Sequence, residues 1–108
     1  YTAYYAPNIS EKIKNVAILM GIPESRNMTK DFVEGLFNFY RKINFPLTLR
    51  EFKNFSKDLI GKAVQDTSQN RMKLEASPRP VPPEKSGEIL QTIIEGAYHG
   101  TIDKIVKL

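Results

Sequence analysis

Few side chains in this sequence have the types and spacing that catalysis needs. Cysteine is absent, and His99 is the only histidine. Disulfides, thiolate metal sites, cysteine nucleophiles and any metal site that takes two histidines from this chain are therefore excluded. A self-contained histidine-dependent hydrolase is disfavoured for the same reason. The six glycines stand apart from one another, so no phosphate-binding loop is indicated.

The single histidine and the carboxylates fit surface roles better than catalytic ones. His99 closes a predicted helix just before Gly100, where a cation complements the helix dipole. A metal-binding or proton-relay role would need neighbouring ligands, and only Asp103 stands four residues further on. Five carboxylates fall on predicted solvent faces, which disfavours paired acid and base catalysis: Glu11, Asp31, Glu34, Asp58 and Asp66.

A proline-framed arginine is the most suggestive local feature. Arg79 stands between Pro78 and Pro80, and a guanidinium on a stiff backbone is pre-organised for directed hydrogen bonds. Either it ties this connector to helix ends or carbonyl groups, or it lines the edge of a neighbouring domain's cleft. Lys73 lies just upstream, and a lysine at such a position is most often solvated.

The spacing of apolar residues predicts an all-α fold, a compact bundle of about five helices forming a single domain over residues 1–108. Glycine and proline set the breaks between helices, and the apolar stripes are expected to face one shared core. The predicted helical regions are Ile9–Met20, Thr29–Ile43, a helix capped by Ser56 that carries Leu59 to Val64, a weaker turn over Gln69–Leu74, a long helix from Pro83 to Tyr98, and a final turn capped by Thr101.

Composition indicates an ordinary globular protein and gives further expectations about partners. Six phenylalanines of the middle third are expected to pack in the core. The longest apolar run, Val16 to Met20, is too short to span a membrane, and the first residues lack a secretion signal. Because the chain starts at Tyr1, we expect a piece of a longer, cytoplasmic protein. The net charge of +4 comes from scattered basic residues interleaved with acidic ones, so no nucleic-acid partner is expected.

The order of four segments resembles the C-terminal half of the iron-containing (metal-dependent, group III) alcohol dehydrogenases. The segments are "AILMGIP", "FPLTLREF", "QDTSQNRMKLEASPRPVPPE" and the closing helix "ILQTIIEGAYHG". Leu47 to Glu51 match the family segment that joins two helices, and Pro78 to Pro80 match its asparagine-proline-arginine-proline turn. Ser77 stands where the family usually has asparagine. The resemblance runs from about Asn8 to Gly100.

The resemblance implies a two-domain parent enzyme with a dehydroquinate-synthase-like helical C-terminal domain. In the family an N-terminal α/β domain binds NAD or NADP, and the helical domain holds Fe²⁺, or Zn²⁺ in some relatives, through one aspartate and three histidines. The metal polarises the alcohol oxygen during hydride transfer between alcohols and aldehydes or ketones. Those four ligands would precede Tyr1, so this chain is expected to bind no metal or cofactor and to hold no catalytic residue.

On this view the chain braces the metal-binding helices, walls one side of the cleft and is inactive alone. By position, Lys73 and Arg79 are the expected cleft neighbours. Its partners would be the missing N-terminal part of the same enzyme and a small alcohol or aldehyde, in a parent that forms a homo-oligomer.

An independent helical protein-interaction module is the alternative hypothesis. The exposure of the cluster formed by Tyr1, Tyr4 and Tyr5 distinguishes the two hypotheses, because a fragment should leave these rings in an exposed apolar patch. A self-sufficient module would cover them.

Overall fold

Six α-helices and four short 3₁₀ turns follow one another along the chain, which contains no strand. The computed structural model describes all residues from 1 to 108. The all-helical prediction is confirmed. None of the helices combines the length and the apolar character needed to cross a membrane. The helices are α1 (Thr2–Tyr5), α2 (Ser10–Leu19), α3 (Met28–Lys42), α4 (Leu59–Ser68), α5 (Arg71–Glu75) and α6 (Ser86–His99), and the 3₁₀ turns are Ala6–Asn8, Leu49–Glu51, Pro83–Lys85 and Ile105–Lys107.

Three of the longer helices, α2, α3 and α6, lie close to their predicted bounds, because each is followed closely by a residue with a left-handed backbone. These residues are Gly21 (φ 76°), Asn44 (φ 54°) and Gly100 (φ 74°), after α2, α3 and α6. Left-handed geometry turns the chain so that the next N–H reaches a carbonyl five residues back. The bonds that result are Ile22 N to Ala17 O, Phe45 N to Tyr40 O and Thr101 N to Gly96 O, each 2.9 Å.

The short elements differ from the predictions. Helix α1 was not expected from the sequence, and it forms where Ala3 and Tyr4 become buried. Ser56 does not cap α4, which begins at Leu59 after Asp58. Thr101 does not cap the last turn either, since that turn starts beyond Lys104. Elements of this length have little intrinsic stability, so tertiary packing decides where they form.

The core is divided into two clusters rather than shared by all helices. Helix α2 packs on α3, α4 and the last turn pack on α6, and α1 contacts both α3 and the last turn. A partly open pocket of about 210 Å³ with mostly apolar walls lies between α3 and α6. The larger cluster contains Ala3, Tyr4, Leu74, Val81, Ile89, Leu90, Ile93 and Ile105, and the smaller one contains Ala6, Ile13, Ala17 and Phe32.

The predicted phenylalanine core is mostly wrong. Of the six rings only that of Phe32 is buried, and Phe39, Phe45 and Phe52 are each about half exposed. Helical spacing shows which residues share a face, but a face becomes core only where another element covers it. Accordingly the chain exposes 7507 Å², whereas a folded monomer of its mass, 12.3 kDa, exposes about 6,100 Å². The excess is about 1,400 Å².

The loop after α3 is closed by one carboxylate, and this gives a prediction for acid stability. Glu51 Oε2 accepts hydrogen bonds from Leu47 N (2.6 Å) and Thr48 N (2.7 Å). The backbone bond from Thr48, and then that from Leu47, hold the pKa of Glu51 below its usual value of 4.5. A lowered pKa in the folded state means that this stabilisation is present above that value and is lost as the pH falls through the folded pKa.

Replacing Glu51 by glutamine is therefore expected to lower the melting temperature at neutral pH, with the difference from the original chain shrinking in acid. Thermal unfolding followed by circular dichroism from about pH 7 to about pH 3 measures this. Glu84→Gln, at an exposed glutamate without a hydrogen-bond partner, is the matched control. If Glu51→Gln lowered the melting temperature by the same amount at every pH, the charge of Glu51 would not contribute to stability.

Candidate functional site

The connector between α5 and α6 folds back on the end of α5. Ser77 Oγ lies 2.9 Å from Leu74 O and 2.7 Å from Arg79 O, and its single hydrogen is shared between these two acceptors. Val81 N donates to Leu74 O at 3.2 Å, and the Val81 side chain is buried. Ser77 therefore holds the connector in its bent course.

Two carbonyl groups of the connector are bound by the first residues of the chain. Asn8 Nδ2 donates to Pro78 O at 3.0 Å, and Tyr4 Oη donates to Pro80 O at 3.3 Å. Prolines lack an N–H, so a proline-rich connector is held mainly through its carbonyl oxygens. These bonds fix the connector against α1 and the turn that follows it.

Arg79 joins three parts of the fold. Its Nη1 donates to Tyr4 O at 3.1 Å, its Nη2 donates to Leu108 O at 2.8 Å, and its guanidinium carbon lies 4.4 Å from the centre of the Tyr4 ring. Of the two interpretations of this arginine, the tie to carbonyl groups is the one found. We call Arg79, Tyr4 and Leu108 the Arg79 clasp. Both terminal nitrogens of Arg79 are therefore engaged inside the chain, and its place beside a neighbouring domain's cleft stays a prediction.

Lys73 is exposed and borders the same tyrosine cluster from another side. It lines a shallow cleft of about 390 Å³ together with Tyr1, Tyr5 and Asp66. The rings of Tyr1 and Tyr5 lie 5.8 Å apart, and those of Tyr4 and Tyr5 lie 5.7 Å apart. The structure thus brings Lys73 and Arg79 to one aromatic cluster, although only Arg79 is bound within the chain.

The tyrosine cluster does not form the exposed patch expected of a fragment. Tyr4 is only 2% exposed and Tyr5 is partly buried, while Tyr1 is 47% exposed. The exposed large apolar side chains lie elsewhere. The most exposed are Leu19, 87% exposed at the end of α2, and Met72, 76% exposed on α5, whereas Phe39, Phe45 and Phe52 are about half exposed.

The phenol of Tyr1 provides a titration prediction at alkaline pH. Partial burial raises the pKa of Tyr1 above its usual value of 10.0, and the nearby Tyr5 raises it further. Because the neutral phenol is favoured in the folded chain, this stabilisation is present below pH 10.0 and is lost as the pH rises through the raised pKa. In an absorbance titration of the folded chain, Tyr1→Phe is expected to reduce the phenol ionisation seen above pH 10.0. Tyr98→Phe is the control, and an unchanged alkaline limb in Tyr1→Phe would contradict the assignment.

His99 ends α6 and is exposed, with its ring 5.1 Å from that of Tyr98 in an edge-on arrangement. His99 and Asp103 line a second shallow cleft, but the two side chains form no ion pair. No group of three or more histidine, aspartate or glutamate side chains is arranged to hold a metal ion. The residues of this chain therefore do not fit the iron or zinc centre that the resemblance implies.

Comparisons of the chain with protein-family models, with curated proteins and with solved structures find no match. The geometry above is therefore the basis for the functional interpretation. The partners of Arg79 are the part of this geometry that sequence reasoning missed. Tyr4 and Leu108 lie 75 and 29 residues from Arg79, and no local pattern links such distant positions.

Proposed function

We propose that this chain is the distal helical part of an NAD(P)-dependent, iron- or zinc-dependent alcohol dehydrogenase, and that the catalytic residues lie in polypeptide preceding Tyr1. The order of its segments carries the proposal. Leu47–Glu51 joins α3 to α4, and Pro78–Pro80 leads into the last helix α6, which is the order that the family resemblance predicts. The role proposed for this part is to brace the metal-binding helices and to wall one side of the cleft.

The large exposed surface supports a part that packs against further polypeptide. The excess of about 1,400 Å² over a monomer of this mass falls within the range of interfaces between domains of one chain, about 600 to 1,500 Å². Leu19, 87% exposed, stands one turn beyond Val16, itself 45% exposed, on the outer face of α2. Such a face is costly to leave in water, so a covering element is expected there.

The Arg79 clasp supports a bracing role. It holds the connector, α1 and the last 3₁₀ turn together through one side chain. In the proposed parent the Arg79 clasp would fix the point at which the preceding polypeptide joins Tyr1. It would therefore also fix the distance between the metal-binding helices and α6. Arg79 acts there as a positioning residue, whereas the exposed Lys73 is the residue proposed to face the cleft.

The proposal is tested with two purified proteins, the 108-residue chain and the longer natural product that contains it. Metal content is measured by mass spectrometry, and alcohol-dependent reduction of NAD and of NADP is measured by absorbance. The longer product is expected to hold about one metal ion per chain and to oxidise alcohols, whereas the short chain does neither. Stoichiometric metal or activity in the short chain would overturn the proposal, as would a longer product without activity.

Lys73 is tested in the longer protein. Lys73→Gln is expected to lower kcat/KM by roughly threefold or more at an unchanged melting temperature, since an exposed lysine contributes little to folding. Lys85→Gln, a second exposed lysine away from the tyrosine cluster, is the matched control. Equal effects of the two substitutions on kcat/KM would show that Lys73 does not face the cleft.

A helical protein-interaction module is the second candidate, and the burial of Tyr4 favours it. The chain covers this ring with its own residues, as a self-sufficient module would. A longer product without metal and without activity would select this second candidate.

A further inference from the structure

The net charge of the chain is concentrated in one exposed segment. Residues 39–57, here called the 39–57 segment, run from the end of α3 to the approach to α4. Five basic residues and one acidic residue lie in it, so it carries all of the formal +4 charge, and the rest of the chain has eleven of each sign. The basic residues are Arg41, Lys42, Arg50, Lys53 and Lys57, all exposed.

None of these cations is neutralised by a carboxylate. The two salt bridges of the chain, Lys14–Glu24 and Lys62–Asp66, lie outside the segment. The only acidic residue in the segment is Glu51, and its Oε2 is engaged by the N–H groups of the loop that it closes. Arg50 lies close enough to Glu51 to help lower its pKa, and Arg41 donates to Asn38 Oδ1 at 2.7 Å, so Lys42, Lys53 and Lys57 are the cations of the segment without a partner in the chain.

The same segment exposes four large apolar side chains, Phe39, Ile43, Phe45 and Phe52, each between 44% and 53% accessible. Phe39 lies on the last turn of α3, and Ile43 follows four residues later, directly after the helix ends. The Tyr40 ring links Phe39 to Phe45, with ring centres 6.1 Å and 5.2 Å from it. Phe39, Tyr40 and Phe45 thus form one partly exposed aromatic group, and the five exposed cations belong to the same segment of the chain.

We propose that the 39–57 segment is a docking surface for an acidic amphipathic helix of another protein chain. The apolar face of that helix covers Phe39, Ile43 and Phe45, and its carboxylates pair with Lys53 and Lys57. Aromatic residues at the centre with charges at the rim are the usual composition of a protein interface.

Other occupants fit the segment less well. A second copy would bring two surfaces of the same sign together, which costs affinity. Insertion into a membrane needs apolar side chains that project into the acyl region, whereas these four are half-buried against the protein. Stacking on nucleic-acid bases needs free ring faces, and two of the three phenylalanines already pack on Tyr40. The inference is independent of the proposed dehydrogenase role.

The test uses a fluorescein-labelled synthetic peptide of about 20 residues with leucines on one helical face and glutamates on the others, long enough to form a helix on binding. Fluorescence anisotropy is measured with the folded 108-residue chain at about 0.15 M salt. We expect saturable one-to-one binding. A peptide with lysine in place of glutamate is expected not to bind.

Two double variants and two matched controls locate the surface. Phe39→Ser with Phe45→Ser, and separately Lys53→Glu with Lys57→Glu, are each expected to weaken binding about tenfold or more. Lys104→Glu with Lys107→Glu changes the net charge equally outside the segment, and Leu19→Ser removes an exposed apolar side chain elsewhere. Both controls are expected to change affinity less than about twofold, and circular dichroism verifies that every variant remains folded.

Three results would overturn the proposal. The first is absence of peptide binding, and the second is an equal loss in the control charge variant, which would indicate only non-specific attraction. The third is tighter binding of phosphatidylserine vesicles or of a single-stranded oligonucleotide that is lost in the same 39–57 variants. None of these results bears on the metal content or activity of the longer product.

Discussion

Replacing Arg79 by alanine is expected to lower the free energy of unfolding by about 2 to 3 kcal/mol, because hydrogen bonds to a charged group contribute about 1.5 to 3 kcal/mol each and are not additive. Both bonds of the Arg79 clasp would be lost, together with the contact over the Tyr4 ring. For a domain of this size the loss corresponds to a melting temperature lower by roughly 10 to 20 °C. Chemical denaturation followed by circular dichroism measures the free energy.

Two variants separate the geometry of the clasp from its charge. Arg79→Lys keeps the charge but not the planar fork, so it is expected to recover only part of the loss. Arg71→Ala removes an exposed arginine without hydrogen bonds and is expected to stay within about 0.5 kcal/mol of the original chain. If Arg79→Ala also changed the free energy of unfolding by no more than that amount, Arg79 would not brace the fold, and a role at the cleft would be the remaining prediction for it.

Leu90→Ala is expected to cost more, about 3 to 4 kcal/mol, since it leaves a cavity at a fully buried position. Leu90 is 0% exposed and lies on α6 within the larger cluster, beside the residues that hold the connector. With so few buried residues the chain has little stability in reserve, because small domains total about 5 kcal/mol or somewhat more. We therefore expect Leu90→Ala to unfold at a much lower temperature than the original chain, without a cooperative transition.

Leu19→Ala is the matched control for Leu90→Ala. The same chemical change at an 87% exposed leucine is expected to alter stability by no more than about 0.5 kcal/mol. A similar melting temperature for the two variants would mean that α6 does not pack as described. Since the connector rests on this cluster, Leu90→Ala is also expected to weaken the clasp.

The long helices were predictable from sequence because their signals are local. Helix α3 carries an apolar stripe and ends at Asn44, one of the few residue types that adopts a left-handed backbone readily. Helix α1 was not predictable, since a four-residue helix depends on the burial of Tyr4 by residues far along the chain. The phenylalanine core failed for the same reason, because no element covers the rings of Phe39 and Phe45.

The candidate site was only partly predictable. The prolines around Arg79 indicated a fixed arginine with directed hydrogen bonds, and this is confirmed. Its acceptors, Tyr4 O and Leu108 O, were not predictable, because bringing distant carbonyls to one guanidinium is a property of the whole fold. The role of Lys73 at a cleft stays a prediction, since the facing wall would belong to preceding polypeptide.

The proposed function requires catalytic residues encoded upstream of Tyr1, and the gene sequence immediately before that codon tests this most directly. We predict an open reading frame that continues upstream into helices with one aspartate and three histidines, the last histidine shortly before Tyr1, preceded by an α/β nucleotide-binding domain. An initiating methionine directly before Tyr1, or an upstream frame without such a histidine-bearing segment, would contradict the account.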